Sequence, residues 1–176
     1  MIKKSILIVF TIFFVLLSQS IQSQKIVVIN IEYIINNSNQ YKEIIKKIIK
    51  TQESKKNSFE IEEEKIKSKL NEIENSKLIL SKDEINLKVD QYNKTFSNFK
   101  DSVDEFNLHY DNQILKIRNK ILENIVKLLE KYAIENKIDL IFNNKDYIIA
   151  SNSIDITDII LKELDTIDLN LQFDSL

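Results

Sequence analysis

The chain has 176 residues, a formal net charge of −2, and no glycine, proline or cysteine. That length suits one domain, or one small body with an extension. The absence of cysteine excludes disulfides and a lipid-modified cysteine, and the mild acidity argues against general binding to nucleic acid. Because the depleted residue types all have GC-rich codons, we interpret their scarcity as the coding bias of an AT-rich genome, and we expect asparagine to occupy the turns.

Residues 1–20 have the pattern of a secretory signal peptide. Lys3 and Lys4 precede an apolar run from Ile6 to Leu17, and small residues follow at Ser18 and Ser20. We expect export and cleavage after residue 20, or as late as residue 23. The alternative is an uncleaved anchor, although the run is short for a membrane span. Cleavage removes two lysines and no acid, so the formal net charge changes from −2 to −4.

A strand and a first long helix follow the leader. Residues 25–31, KIVVINI, are rich in β-branched side chains and fit a buried strand. Residues 32–38 predict a helical turn that ends at the asparagines. From about Tyr41 the apolar residues follow a heptad with polar interruptions, which predicts a long helix. The predicted seam consists of Ile45, Ile49, Gln52, Lys56, Phe59, Glu63, Ile66, Leu70, Ile73 and Lys77.

A second long helix is predicted after a break at residues 75–86. Ser81 stands three residues before Glu84, which is the spacing of a capping box. Two helices joined by a short break predict an antiparallel hairpin arm over residues 41–132, with its tip near residues 76–84. The seam of the second helix consists of Val89, Tyr92, Phe96, Phe99, Val103, Phe106, Tyr110, Ile114, Ile117, Ile121, Ile125, Leu128 and Tyr132.

The end of the sequence predicts a small β/α body. Residues 138–142 alternate, residues 143–145 form a turn, residues 147–150 form a second strand, and Asp155 is the N-cap of a helix through Leu164 with Asp158 at its third position. With residues 25–31 this makes three short strands, which are marginal for one chain but sufficient when several chains pool them. We therefore predict an α+β, mainly α fold with an assembly body from residues 21–40 and 133–176. Its assembly residues are Val27, Ile29, Ile138, Leu140, Phe142, Ile148 and Ala150.

This arrangement resembles the Skp/OmpH family of periplasmic chaperones. The shared features are a leader, a strand of the type KIVVINIEYII, a charged helical hairpin, and the closing segment ENKIDLIFNNKDYIIASNSIDITDIILKEL. The family's closing signature has the shape IDLVV…YA…S…DIT…VL. Its positions are held here by Ile138, Asp139, Leu140, Ile141, Phe142, Ile149, Ala150, Ser151, Asp155, Ile156, Thr157, Ile160 and Leu161.

The resemblance implies a homotrimer whose β body carries three helical arms around a cavity. It further implies an ATP-independent periplasmic holdase that binds unfolded outer-membrane β-barrel proteins and prevents their aggregation. The chain departs from the family in its net acidic charge, since family members often have basic arms. Residues 165–176 also extend beyond the usual ending. The alternative function is a periplasmic coiled-coil scaffold, tethered to the membrane if the leader is not cleaved.

Two groups of apolar residues are candidates for contact with the client. The first is the aromatic set Phe59, Phe96, Phe99 and Phe106, although residues at heptad positions more commonly pack against the facing helix. The second is Leu78, Ile79 and Leu80 at the tip. These three residues would either contact an unfolded client or a membrane surface, or cap the end of the hairpin.

The sequence favours no enzymatic site. His109 is the single histidine, and without cysteine it cannot complete a usual zinc site. A phosphate-binding loop needs glycine, which the chain lacks. We therefore expect no catalytic residue, no metal and no cofactor. The expected partners are further copies of the chain, unfolded outer-membrane proteins and, peripherally, a membrane surface, with no nucleic acid.

Overall fold

A computed structural model describes residues 24–176, so the predicted signal peptide lies outside the described residues. The fold is α+β and mainly α, with a long antiparallel helical hairpin and a small two-stranded sheet. In chain order the elements are strand β1 (Ile26–Ile29), helix α1 (Ile31–Asn37), helix α2 (Asn39–Ser76), helix α3 (Lys82–Asn136), strand β2 (Leu140–Asn143), a short 3-10 turn (Asn152–Ile154) and helix α4 (Thr157–Leu164).

The sheet joins the two ends of the hairpin. β1 and β2 pair in parallel, with Ile26 opposite Leu140 and Ile29 opposite Asn143. On its other edge β1 forms an isolated parallel bridge through Val28, whose carbonyl oxygen accepts a hydrogen bond from the Ile156 N–H at 2.9 Å. Two segments that follow the hairpin in the chain therefore cover both edges of β1.

Two details of the predicted body are wrong. Residues 147–150 do not form a strand, and both Ile148 and Ile149 are fully or almost fully exposed. An alternating pattern identifies a strand but not the strand with which it pairs. β2 pairs with β1, and it does not form a β-hairpin with residues 147–150. The N-cap of α4 is Ile156 rather than Asp155, whose carboxylate accepts a hydrogen bond from the Thr157 N–H at 2.8 Å.

Local signals define the ends of the long helices. Ser81 and Glu84 form the expected capping box at the start of α3. At the other end Lys137 adopts the left-handed conformation with φ 53° and ψ 50°, a position where glycine is usual. Asn170 is the other residue with positive φ among residues 24–176. Asparagine therefore fills one of these positions as expected, whereas a lysine fills the other.

The predicted seam of α3 is correct except at Phe96, which is exposed, but that of α2 is out of phase near the body. Ile117, Ile121 and Ile125 are buried on α3 as expected. Near the body the buried residues of α2 are Ile44 and Ile48, whereas half of the Ile49 surface is exposed. Farther along α2 the predicted seam residues Ile66 and Ile73 are buried as expected. The base of α2 contacts α1 as well as α3, so a single heptad seam does not describe its packing.

One hydrophobic core extends from the sheet into the base of the arm. It contains side chains from β1, α1, both long helices and α4, so the arm is continuous with the body. Its buried members are Val27, Ile29, Ile34, Ile35, Ile44, Ile48, Phe106, Tyr110, Ile117, Ile121, Ile125, Leu128, Ile156, Ile160, Leu164 and Leu169.

Candidate functional site

An aromatic cluster joins the two helices of the arm outside the body. The ring of Phe59 on α2 lies edge-on to Phe106 at 5.3 Å and to Phe99 at 6.0 Å between centroids. Phe106 also contacts Tyr110 at 4.9 Å. Edge-to-face pairs at these distances are favourable. Phe59, Phe99 and Phe106 therefore pack across the hairpin seam.

The fourth aromatic candidate has a different environment. Phe96 is 47 % exposed and stacks on Tyr92 along the same helix, whereas Phe106 is 2 % exposed. At the tip, Leu78 and Ile79 are 96 % and 85 % exposed, so these two do not cap the hairpin, and Leu80 is half-buried. The predicted client residues thus divide into a packed set and an exposed set, which contains Phe96, Leu78 and Ile79.

A polar network fixes the arm to the body. Arg118 on α3 donates to the Glu32 carboxylate at 2.6 Å, the Asn36 side chain at 3.1 Å and the Tyr41 hydroxyl at 3.3 Å. The pKa of the Arg118 guanidinium is raised, chiefly by the Tyr41 contact and also by Glu32, against the opposing effect of partial burial. Its charge therefore persists at any physiological pH.

A second ion pair holds the last helix against the arm. Lys131 on α3 lies 2.7 Å from the carboxylate of Glu163 on α4. Hydrogen bonding to Glu163 raises the pKa of Lys131. The pair is solvent-exposed, so its contribution to stability is small and decreases with salt.

The predicted assembly residues also divide by exposure. Val27 and Ile29 are buried in the core of this chain, and Ile138 packs against that core. Leu140, Phe142 and Ile148 are exposed, and Ala150 is half-buried. The exposed residues share the body surface with Ile149. An open cleft of about 370 Å³ lies beside the sheet, lined by residues that include Val126, Ala133 and Ile141.

The sequence patterns gave no role to residues 165–176, which we call the tail segment. It lies along the body and the base of the arm, where Leu169 is buried and Ile167, Leu171 and Phe173 pack against the core. These apolar residues alternate with polar ones, so a period of two was visible in the sequence. A hydrophobic groove was not visible, because its walls come from distant segments.

The described residues show no features of a metal site or a membrane span. Among residues 24–176 no group of three or more His, Cys, Asp or Glu side chains is placed to hold a metal ion. Within the same range no helix is long and apolar enough to cross a bilayer. His109 contacts the tail segment, with its Nε2 atom 2.7 Å from the carbonyl oxygen of Asp174.

A helical hairpin arm fused to a small β/α body, with apolar side chains exposed on both, defines the fold class of the chain. The chain belongs to the OmpH-like family of outer membrane proteins, whose model matches residues 25–164. The fold is similar to the crystal structure of a candidate outer membrane chaperone (OmpH-like) from Caulobacter crescentus CB15. The TM-score is 0.70 and the identity 11 %, over 86 % of this chain and 90 % of that chain. No curated protein matches the chain significantly.

Proposed function

We propose that the chain is an ATP-independent periplasmic holdase that binds unfolded outer-membrane β-barrel proteins and prevents their aggregation. Family membership and the description of the similar Caulobacter protein support a chaperone role. The observation that carries the proposal is the exposed set on the arm. Leu78 and Ile79 are almost fully exposed, and nearly half of the Phe96 surface is exposed. Exposed apolar side chains on a rigid support suit weak contacts with unfolded chains.

We propose that the working form is a homotrimer assembled through the body. Leu140, Phe142, Ile148 and Ile149 are exposed apolar residues on one small body, which is unusual unless another copy covers them. The exposed Ile148 and Ile149 of one copy would make a head-to-tail contact by entering the cleft beside the sheet of the next copy. Such contacts close into rings when the rotation allows it.

Assembly would convert weak contacts into useful affinity. Three arms around one client make the second and third contacts intramolecular, so avidity exceeds the affinity of any single arm. Because each contact is weak, the client can leave one arm at a time without ATP. Holding activity should therefore depend on assembly even when the arms are intact.

The test of the function uses a urea-unfolded outer-membrane β-barrel protein diluted into the purified mature chain without ATP. Light scattering should fall with added chain and saturate near one trimer, hence about three chains, per client. The double variant with Phe96→Ser and Leu78→Ser should suppress aggregation less well than the wild-type chain. Lys116→Ser, which changes an exposed residue on the same helix as Phe96, should behave as wild type. No suppression at any ratio would contradict the proposal and favour the scaffold.

The test of the assembly uses Ile148→Asp. Ile148 is exposed in the single chain, so the variant should fold with unchanged helix content. It should sediment as a monomer and lose holding activity. A variant that stays trimeric and active would exclude residues 147–150 from the assembly contact.

A further inference from the structure

A second apolar stripe runs along α3 outside the hairpin seam. Leu108, Leu115 and Leu122 stand seven residues apart and are 62 %, 56 % and 37 % exposed. Because an α-helix has 3.6 residues per turn, these leucines share one face, roughly opposite to the buried seam residues Ile117 and Ile121. With the two asparagines between the leucines they form a surface that we call the outer stripe. Its members are Leu108, Asn112, Leu115, Asn119 and Leu122.

The two asparagines complete a heptad pattern. Asn112 and Asn119 are exposed, and each follows one leucine by four residues and precedes the next by three. This is the spacing of a coiled coil with leucine at the d positions and asparagine at the a positions. An asparagine at an a position fixes the register of the helices that meet there, at a cost in stability. The outer stripe therefore has the pattern of a helix–helix contact whose second helix is not part of the single chain.

The outer stripe ends at charged residues on one side and continues into the body on the other. Toward the tip, the next two positions of the same heptad are Glu105 and Asp101, which are both exposed. Copies of these carboxylates brought together would repel one another. Toward the body, the next position is Val126, which lines the cleft beside the sheet. The stripe is thus continuous with the surface proposed for assembly, and it extends roughly 25 Å along the arm at 1.5 Å per residue.

We infer that the outer stripe binds the outer stripes of other copies of the chain, so that the α3 helices run parallel and in register from the body to Leu108 and separate beyond it. This inference rests on the proposed homotrimer and specifies a second contact within it. A rotation about an axis parallel to the helices adds no shift along them, so each residue lies level with the same residue of the next copy. An asparagine amide both donates and accepts hydrogen bonds, so Asn112 and Asn119 can each bond to their own copies.

A copy of the chain fits the outer stripe better than an unfolded client does. An unfolded client presents no regular helix, so neither the heptad spacing nor the asparagines would improve its binding. An unrelated helix would need matching amides at the levels of Asn112 and Asn119, which a copy supplies by symmetry. The leucines alone would suit any apolar partner, and the asparagines are what favour a copy.

This contact would divide each arm into two parts. The exposed set, which contains Phe96, Leu78 and Ile79, lies entirely on the tip side of Leu108. The part of α3 between Leu108 and its first residue, Lys82, is roughly 40 Å long at 1.5 Å per residue. The space for a client would therefore begin beyond Leu108, and the parts of the arms nearer the body would form a common stem.

The first experiment uses the absence of cysteine from the chain. Asn112→Cys places a thiol in the middle of the contact, within disulfide reach of the same thiol in the next copy. Asn98→Cys is the matched control, because Asn98 is an exposed asparagine at the same heptad position, two heptads nearer the tip. Under mild oxidation, covalent dimers should form at least tenfold faster in Asn112→Cys than in Asn98→Cys. Equal rates in the two variants would overturn the inference.

The second experiment tests the leucines without a cross-link. Leu115→Asp should raise the concentration at which the trimer dissociates at least tenfold, because like charges would meet in the contact. Leu115 is exposed in the single chain, so circular dichroism should find unchanged helix content. The matched control is Leu87→Asp, which changes an exposed leucine at the same heptad position beyond the charged end. Sedimentation velocity over a concentration series should find that the control assembles as wild type.

Sedimentation also separates the failure of this inference from the failure of the proposals on which it rests. If Leu115→Asp and Leu87→Asp both dissociate as the wild-type chain does, the arm contact is overturned and assembly through the body is left intact. A wild-type chain that is monomeric at every concentration would overturn both contacts. The aggregation assay on the same samples measures holding activity independently, and Leu115→Asp should lose that activity at concentrations where it has dissociated.

Discussion

The guanidinium of Arg118 lies 2.6 Å from the carboxylate of Glu32, and this contact joins the middle of α3 to the first turn of α1. Two further hydrogen bonds from the same guanidinium reach Asn36 and Tyr41. One side chain on the arm therefore fixes three positions around the junction with the body. The length of arginine and its planar fork make this geometry available, which a lysine cannot reproduce.

Arg118→Ala should lower the free energy of unfolding by about 1 kcal/mol, because the pair is only partly screened from solvent. Arg118→Lys should recover a minor part of that loss, since it restores the charge but not the three directed contacts. Urea unfolding followed by circular dichroism provides the measurement. Lys116→Ala, an exposed cation on the same helix, is the control and should leave the midpoint unchanged. A loss of equal size in the control would assign the effect to charge in general.

Phe106 and Phe96 are both phenylalanines on α3, but we expect them to have different roles. Phe106→Ala should cost about 3–5 kcal/mol of stability, because a buried aromatic leaves a cavity. Phe96→Ala should change stability little and weaken the holding of unfolded clients. Unfolding and aggregation assays on both variants measure the two effects separately. A large loss of stability in Phe96→Ala would mean that its ring is part of the seam.

The capping box at the tip should be visible as a shifted titration. The Ser81 hydroxyl and N–H donate to the Glu84 carboxylate, which lowers the pKa of Glu84 from its ordinary value of 4.5. A lowered folded-state pKa means that the stabilisation is present above pH 4.5 and is lost as the pH falls through the folded-state value. Carboxyl carbon NMR should find Glu84 titrating below 4.5, and nearer 4.5 in Ser81→Ala.

Lys137 should be a site where glycine stabilises the chain. Its left-handed conformation costs a residue with a Cβ atom roughly 1–2 kcal/mol. Lys137→Gly should therefore raise the free energy of unfolding by up to about 1 kcal/mol, after the greater freedom of glycine in the unfolded state is deducted. Lys127→Gly, inside α3, should instead lower it by about 1 kcal/mol. Destabilisation by both variants would contradict the conformation assigned to Lys137.

The sequence was sufficient to predict the features that local interactions determine. The capping box at Ser81, the seam from Ile117 to Leu128 and the end of the last helix at Leu164 all agree with the structure. Each depends on residues within one or two helical turns, where periodicity and capping have a direct physical meaning. The aromatic cluster follows from the same heptad, although the sequence left open whether it packs or binds.

Features that depend on distant partners could not be predicted in the same way. Alternation at residues 138–142 indicated a strand, but nothing local specified β1 as its parallel partner. The phase of α2 near Ile44 is set by contacts with α1 in addition to α3. The tail segment has the alternation of a strand, but side chains such as Gln40 bind its backbone. Among residues 24–176 it pairs with no strand, so a search for a strand partner in the sequence could not succeed.

The pairing of β1 with β2 has a consequence for how the chain folds. Lys25 and Asp139, which meet at the start of the sheet, are 114 residues apart in sequence. Contacts that close so long a loop carry a large entropic cost and form slowly. The hairpin reduces this cost, because zipping α2 against α3 from the tip brings the two strand segments together. Weakening the arm seam should therefore slow formation of the distant sheet, so the arm guides the folding of its own chain before it meets any other.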